Sequence, residues 1–293
     1  MLKVTNIQVQ SFSIDYLDLF WEVETVFEDI CNYTFVVEKS AAEFGPYYDL
    51  TGEFRNKFRL RDNTVKGQHS FYSRLYYRIR VRNTQTDETA TYPTTGAGVC
   101  QGAPPDLAAL EIARLETLKL KEHKGRMVWV FPRKGCGQRC SCYDNVTRKR
   151  TRSMCPTCFD TGWVGGYDSP IQTYAQIQDP SETNVKHNLV ETEVENGVGL
   201  FGNYPDLAEG WVVVEQENVR WRIGSKIDKV AKARATVRQV AQLHRIYRGD
   251  IEYSLPMNID EPEKLIATPF RNYLNPSDLE VARTFGLMGD TTP

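Results

Sequence analysis

The sequence lacks the short motifs that mark common catalytic sites. There is no Gly-x-x-x-x-Gly-Lys phosphate loop, no His-Glu-x-x-His helix and no Gly-x-Ser-x-Gly elbow. This removes the motif-marked nucleotide hydrolases, zinc proteases and serine hydrolases from consideration. Histidine is scarce: His69, His123, His187 and His244 fall in four separate segments, none beside a candidate nucleophile. Charge of one sign is also missing. With 36 Lys and Arg against 38 Asp and Glu, the net charge of −2 gives no bulk attraction to nucleic acid or anionic membrane. No apolar run approaches the length of a bilayer span, and neither solenoid repeats nor low-complexity tracts occur. Met1-Leu-Lys-Val-Thr opens directly into strand-like sequence, without the charged start, apolar run and small-residue cleavage site of a secretory signal. The expectation is a non-enzymatic chain folded in a reducing cytoplasm.

What the chain does have is crowded cysteine. Five of its seven cysteines, Cys136, Cys140, Cys142, Cys155 and Cys158, lie within 23 residues. The order is Cys136-Gly-Gln-Arg-Cys140-Ser-Cys142, then twelve residues, then Cys155-Pro-Thr-Cys158. Two tight turns, each offering two thiolates, suit a ribbon-type zinc site in which facing turns complete a tetrahedron. A disulfide framework is disfavoured by the reducing context. Free thiols would be scattered and buried rather than clustered among glycines and polar residues. Cys155 and Cys158 form the firmer pair. Cys140 and Cys142 are the favoured second pair, with Cys136 able to replace either. A site of thiolates alone implies a structural metal, because a catalytic zinc keeps a position open for water. Cys31 and Cys100 lie far away and read as ordinary thiols.

The rest of the chain reads as mainly β and multidomain. Residues 1–95 carry period-two runs: Leu17, Leu19, Trp21 and Val23; Tyr33, Phe35 and Val37; Tyr77, Ile79 and Val81 between Arg78, Arg80 and Arg82. This argues for an antiparallel sandwich. The tryptophan closing the second strand and the Tyr-x-Ile-x-Val run resemble a fibronectin type III domain. That resemblance implies Trp21 as the central core residue and Tyr77 as the tyrosine that ties down a corner. Residues 96–126 read as linker and helix, with Asp106 as N-cap, about eighteen helical residues and Gly125 as stop. That helix is a packing strut or a face for a neighbouring subunit. Residues 127–168 hold the cysteine ribbon, entered by the strand Met127–Phe131 and left through Val164–Tyr167. Between Gly125 and Asp168 there are 8 Lys and Arg against 3 Asp and Glu, with Arg148, Lys149, Arg150 and Arg152 prominent. Such cations offset the formal −2 of a four-thiolate zinc; contact with nucleic acid is the weaker reading.

Residues 169–256 read as a small barrel or sandwich of six strands. A hairpin turns at Gln216-Glu217-Asn218, a long strand covers Thr236–Tyr247, and a last strand Ile251–Leu255 follows the Arg248-Gly-Asp turn. Residues 257–293 form an irregular arm with a short helix from Asn275 and with Phe270, Tyr273 and Leu274 needing a surface to pack on. The runs Arg139-Cys-Ser-Cys-Tyr-Asp144 and Cys155-Pro-Thr-Cys158-Phe-Asp-Thr-Gly-Trp-Val-Gly-Gly-Tyr167, with Arg248–Pro256, resemble a cysteine module of tailed-bacteriophage virion structural proteins. In that group Gly-Thr-Gly commonly follows the second pair; here Asp160 takes the first glycine position. The resemblance implies a virion subunit at the neck, as a head–tail connector or collar ring, with a baseplate position as runner-up. It implies a cyclic homo-oligomer, other head, neck or tail proteins as partners, structural Zn2+, and assembly in a host cytoplasm without membrane contact.

Overall fold

The computed structural model describes residues 2–13, 16–25, 29–65, 74–102, 106–187, 190–233 and 235–257, with backbone alone from 179 to 195. The expected C-terminal arm therefore lies outside the described residues, as does His69. Among the described residues no helix is long and apolar enough to cross a membrane.

The first part holds β1 (Val4–Gln10), β2 (Leu17–Val23), β3 (Tyr33–Ser40), β4 (Tyr48–Asp49), β5 (Arg59–Asp62), β6 (Tyr76–Asn83), β7 (Thr89–Tyr92) and β8 (Val99–Cys100). One sheet runs β1-β2-β5; the other runs β4-β3-β6-β7, with β8 also on β6. Alternation places Leu17, Leu19, Trp21 and Val23 in one buried core with Phe35, Val37, Tyr77, Ile79 and Val81. Tyr77 ties the two sheets together: its hydroxyl donates to Asp62 Oδ2 on β5 at 2.7 Å. Asp62 also accepts from Lys39 Nζ at 2.9 Å and from the Thr64 amide at 2.8 Å. Strand β3 is buried on its outer face as well, because Glu38 is covered by Arg78 and by Arg80, whose Nη1 stands 2.6 Å from it.

Helix α1 (Leu107–Lys119) starts where Asp106 Oδ1 accepts from the Ala109 amide at 3.0 Å. One wider turn, Leu120–Lys124, follows and closes with the Gly125 amide on the Leu120 carbonyl at 2.8 Å. A Cβ on Gly125 would stand 2.4 Å from that carbonyl oxygen, so only glycine fits. Ala109, Ala113 and Leu120 are buried where the helix packs on the barrel, while Leu107 and Leu115 stay exposed.

The barrel is closed and six-stranded, in the order β12-β13-β16-β15-β14-β9. Its strands are β9 (Arg126–Phe131), β12 (Ile171–His187), β13 (Val190–Phe201), β14 (Val212–Glu215), β15 (Arg220–Lys232) and β16 (Ala235–Ile246). Two short strands, β10 (Tyr143–Asp144) and β11 (Lys149–Arg150), pair separately in the cysteine segment. Val128, Val130, Phe201, Trp211, Val213, Trp221, Ile223 and Leu243 fill the interior. The strand expected to lead into the cysteine ribbon is thus a barrel strand, bonded to β12 and β14. The cysteine segment is an excursion between two neighbouring strands of one barrel, and the barrel begins at residue 126.

The expected last strand is instead a 3-10 turn, Ile251–Ser254. Asp250 sets it, with Oδ2 accepting from the Tyr247 amide at 2.9 Å and its carbonyl from the Tyr253 amide at 3.0 Å. Arg220 then donates to the carbonyls of Glu252 and Leu255 at 2.9 and 3.0 Å, holding the turn against the barrel.

Sandwich and barrel meet along a polar aromatic seam. Arg61, paired with Asp18 at 2.9 Å, lies 4.0 Å from the ring centres of both Tyr16 and Tyr204. Burial alone would weaken the Arg61 charge, but Asp18 and the two tyrosines hold its pKa above the usual value. Asn203 Nδ2 donates to the Phe12 carbonyl at 3.2 Å. The loop carrying Tyr204 is held by fully buried Gln239, which bonds the Leu207 amide at 2.9 Å and the Gly202 and Pro205 carbonyls at 3.1 and 2.7 Å.

Gln239→Leu should lower stability by about 3 kcal/mol in thermal unfolding, since three backbone groups lose their buried partner. A loss under about 0.5 kcal/mol would show the loop holds itself. Burial raises the Asp62 pKa, but the bonds from Thr64, Lys39 and Tyr77 outweigh it and leave the pKa below the usual carboxylate value. A depressed folded pKa stabilises fully above the unfolded value of about 3.9 and fades as pH falls through the folded one. Acid unfolding of the sandwich should therefore move to higher pH, toward that of an unperturbed carboxylate, in Tyr77→Phe. An unmoved acid midpoint would discount the bond.

Candidate metal centre

The four cysteines Cys140, Cys142, Cys155 and Cys158 converge. Their sulfurs all lie within 4.8 Å of one another, with Cys140–Cys155 at 3.7 Å and Cys142–Cys158 at 3.4 Å. All four are buried, the most exposed at 6%. A tetrahedron with metal–sulfur bonds of about 2.3 Å has edges of about 3.8 Å, so this donor set can hold a metal ion. Sulfurs over 3 Å apart are not disulfides, which need about 2.05 Å, and all seven cysteines are free thiols.

Local backbone chemistry aims the sulfurs. In the first turn the Tyr143 amide bonds the Cys140 carbonyl at 3.0 Å. In the second, the Phe159 amide bonds the Cys155 carbonyl and the Thr161 amide the Cys158 carbonyl, both at 2.9 Å. The Cys140 amide reaches across to the Gly162 carbonyl at 3.1 Å, joining the turns. Gly166, at φ +65°, closes the loop where a Cβ would stand 2.7 Å from the Cys158 carbonyl oxygen. Arg139, next to Cys140 in the chain, is sandwiched between Trp163 at 3.6 Å and Tyr143 at 4.2 Å.

Asp160 is the residue sequence reasoning undervalued. Its Oδ1 accepts from the Cys155 amide at 3.0 Å and its Oδ2 from the Met154 amide at 3.2 Å. Arg150 pairs with the same carboxylate at 3.0 Å. Asp160 adopts φ 60°, a left-handed geometry that aspartate tolerates, so it occupies a glycine-like turn while locking it to β11. The signal was present in its departure from Gly-Thr-Gly.

Burial acts to raise the thiols of Cys142, Cys155 and Cys158. For Cys155 the amides of Thr157 and Cys158, with the neighbouring thiols, outweigh burial and bring it to about 6. Burial and the adjoining sulfurs push Cys142 up, and burial raises Cys158 likewise. Four sulfurs at one point cannot all ionise unless a cation joins them. A metal bound by all four would have no open position for water or substrate.

Cys136 lies outside this cluster. It packs on the sandwich core, where burial pushes its thiol up to about 11 despite a hydrogen bond with the Val23 backbone. Gly137 approaches Phe58, and Gln138 Oε1 accepts from the Ile30 amide at 3.3 Å. The fifth cysteine thus helps seat the module on the sandwich. Of the basic run, Arg150 is used by Asp160, while Arg148, Lys149 and Arg152 are exposed beside Val146, which is 91% exposed. The expected exit strand Val164–Tyr167 is reduced to a single bridge, Arg133 with Tyr167, because Gly165 and Gly166 hold positive φ. Among the histidines, His244 bonds Asn196 at 2.6 Å inside the barrel wall.

No family model matches this chain, and no curated protein matches it by sequence.

Cys155→Ser and Cys158→Ser should each make residues 130 to 168 protease-sensitive while the sandwich stays intact, read by limited proteolysis and peptide mapping. Unchanged resistance of that stretch would exclude a fold-holding metal. Cys136→Ser should leave metal binding by the four-cysteine cluster unchanged but loosen the contact with the sandwich; loss of metal binding in that variant would reverse the ligand assignment.

Proposed function

We propose that this chain is a non-enzymatic structural subunit of a tailed-bacteriophage virion, placed at the neck as a connector or collar ring and held rigid by one Zn2+. The observation that carries this reading is the buried cluster of four thiols, because its donor set suits zinc and leaves no position for catalysis. The resemblance of Arg139–Asp144 and Cys155–Tyr167 to virion cysteine modules supplies the setting. A three-stranded sheet facing a five-stranded one around Trp21, with Tyr77 tying the sheets, supports the fibronectin type III reading of the first domain. Such domains commonly make contacts rather than chemistry. In a virion this one would face outward.

The physical demands agree. A loop-rich segment of this size cannot bury enough apolar surface to stand alone, and metal–sulfur bonds supply the missing stiffness. A closed ring needs heterologous contacts, one face meeting a different face of the next copy. A baseplate location would use the same devices. The exposed Arg148, Lys149 and Arg152 favour a second reading, a nucleic-acid-binding knuckle. It requires affinity that falls steeply with salt and is lost when those three residues are replaced.

Native mass spectrometry of the purified chain should report one zinc per chain in a discrete oligomer. A folded chain without metal would overturn the structural-zinc reading, and a zinc-bound monomer would make ring formation depend on partner proteins.

A further inference from the structure

We propose that two β-hairpin arms of opposite charge join copies of this chain head to tail, the acidic arm of one copy seated on the basic arm of the next; this rests on the ring-subunit reading above. Strand β12 pairs with β9 only from Ile171 to Ala175, and β13 with β16 only from Asn196 to Phe201. Beyond those points, among the described residues, β12 and β13 pair only with each other, out to His187 opposite Val190. Residues 179–187 therefore carry the hairpin about 30 Å past the barrel wall, at about 3.3 Å per residue. The stretch 179–195 contains Asp179, Glu182, Glu191, Glu193 and Glu195 against a single cation, Lys186. Its register sets Glu182 opposite Glu195.

The second arm is its electrostatic counterpart. Strand β15 pairs with β14 only as far as Arg222, and then runs with β16 alone out to Lys232 opposite Ala235. The stretch 225–238 contains Lys226, Lys229, Lys232, Arg234 and Arg238 against a single acid, Asp228. Lys226, Lys232 and Arg238 are exposed, while Lys229 pairs with Asp206 of its own chain.

The arms leave opposite ends of the barrel. Asn196, at the foot of the acidic arm, sits beside His244 near the end of β16. The basic arm turns back just before the start of β16, at Ala235. Charge on a projecting hairpin protects its open edges from aggregation. Edge protection is served by either sign, however, and does not call for opposite signs at opposite ends. A negative arm on one end and a positive arm on the other make a heterologous contact that repeats around a ring.

The test uses two triple variants of the full chain. Glu191→Lys/Glu193→Lys/Glu195→Lys brings the acidic arm to +2, and Lys226→Glu/Lys232→Glu/Arg238→Glu brings the basic arm to −2. Each variant then carries two arms of like sign. Light scattering should show the wild-type oligomer weakened by about tenfold or more between about 50 and about 500 mM salt. Each variant alone should be monomeric, and an equal mixture should re-form oligomers, which also proves that both are folded. Variants that assemble alone like wild type would overturn the arm contact and leave the ring reading standing. A mixture that stays monomeric would overturn it as well, and a wild-type chain monomeric under every condition would overturn the arm contact and leave ring formation to partner proteins.

Discussion

Four buried sulfurs within 4.8 Å of one another are the constraint on which the middle of this molecule depends. As thiols they offer little cohesion, and as thiolates they repel unless a cation lies among them. The segment around them is short of other means. Its strands β10 and β11 pair at only two positions, Tyr143 with Arg150 and Asp144 with Lys149. The remaining order comes from amide bonds to cysteine carbonyls, the Asp160–Arg150 lock and the Arg139 stack. Of these, the Arg150 end of the lock is exposed, where water can compete for it. Holding the sulfurs together is what makes the weaker bonds cooperative.

That local constraint has consequences at longer range because of where the segment is inserted. It leaves the barrel at β9 and returns at β12, which are hydrogen-bonded neighbours. Its two ends are clamped, Lys134 to Gly166 at 3.0 Å and Asp168 to Pro132 at 2.8 Å. From this fixed stalk Cys136, Gly137 and Gln138 reach the sandwich, while Arg61 and Tyr204 join sandwich and barrel directly. The three units therefore share contacts on several sides rather than hanging on one linker. Loosening the cysteine turns would release one of these attachments and leave the aromatic seam to carry the rest.

Much of this was legible in the chain itself, and the illegible parts share a cause. Leu17 to Val23 and Tyr77 to Val81 alternate because one face is buried, and Asp106 and Gly125 bound the helix because caps act locally. The turn at Asn218, at φ 61°, closes its hairpin for the same local reason. Spacing favours Cys140, Cys142, Cys155 and Cys158 but leaves Cys136 able to replace Cys140 or Cys142. The choice is made by Val23 and Phe58, residues of another domain. Met127–Phe131 looked like part of the ribbon because the strand that claims it, Val212–Val214, lies far along the chain. Ile251–Leu255 has the composition of a strand, yet Asp250 and Arg220 offer its backbone nearer partners.

The same distinction between local and distant bears on the two hairpin arms. A net charge of −2 reads as electrostatic neutrality, and a whole-chain sum hides any dipole. The registers of β13 and β15 against β16 show that the acidic and basic stretches lie at opposite ends of one barrel. Among the described residues each arm's strands pair only with each other, so ordering an arm costs conformational entropy with little return from the sheet. A neighbouring copy is one surface that would repay it, because opposite charges bring the arms together and their open edges then have something to lie against. In such a contact each copy would carry both halves, and the charges of the two arms cancel in the near-neutral total.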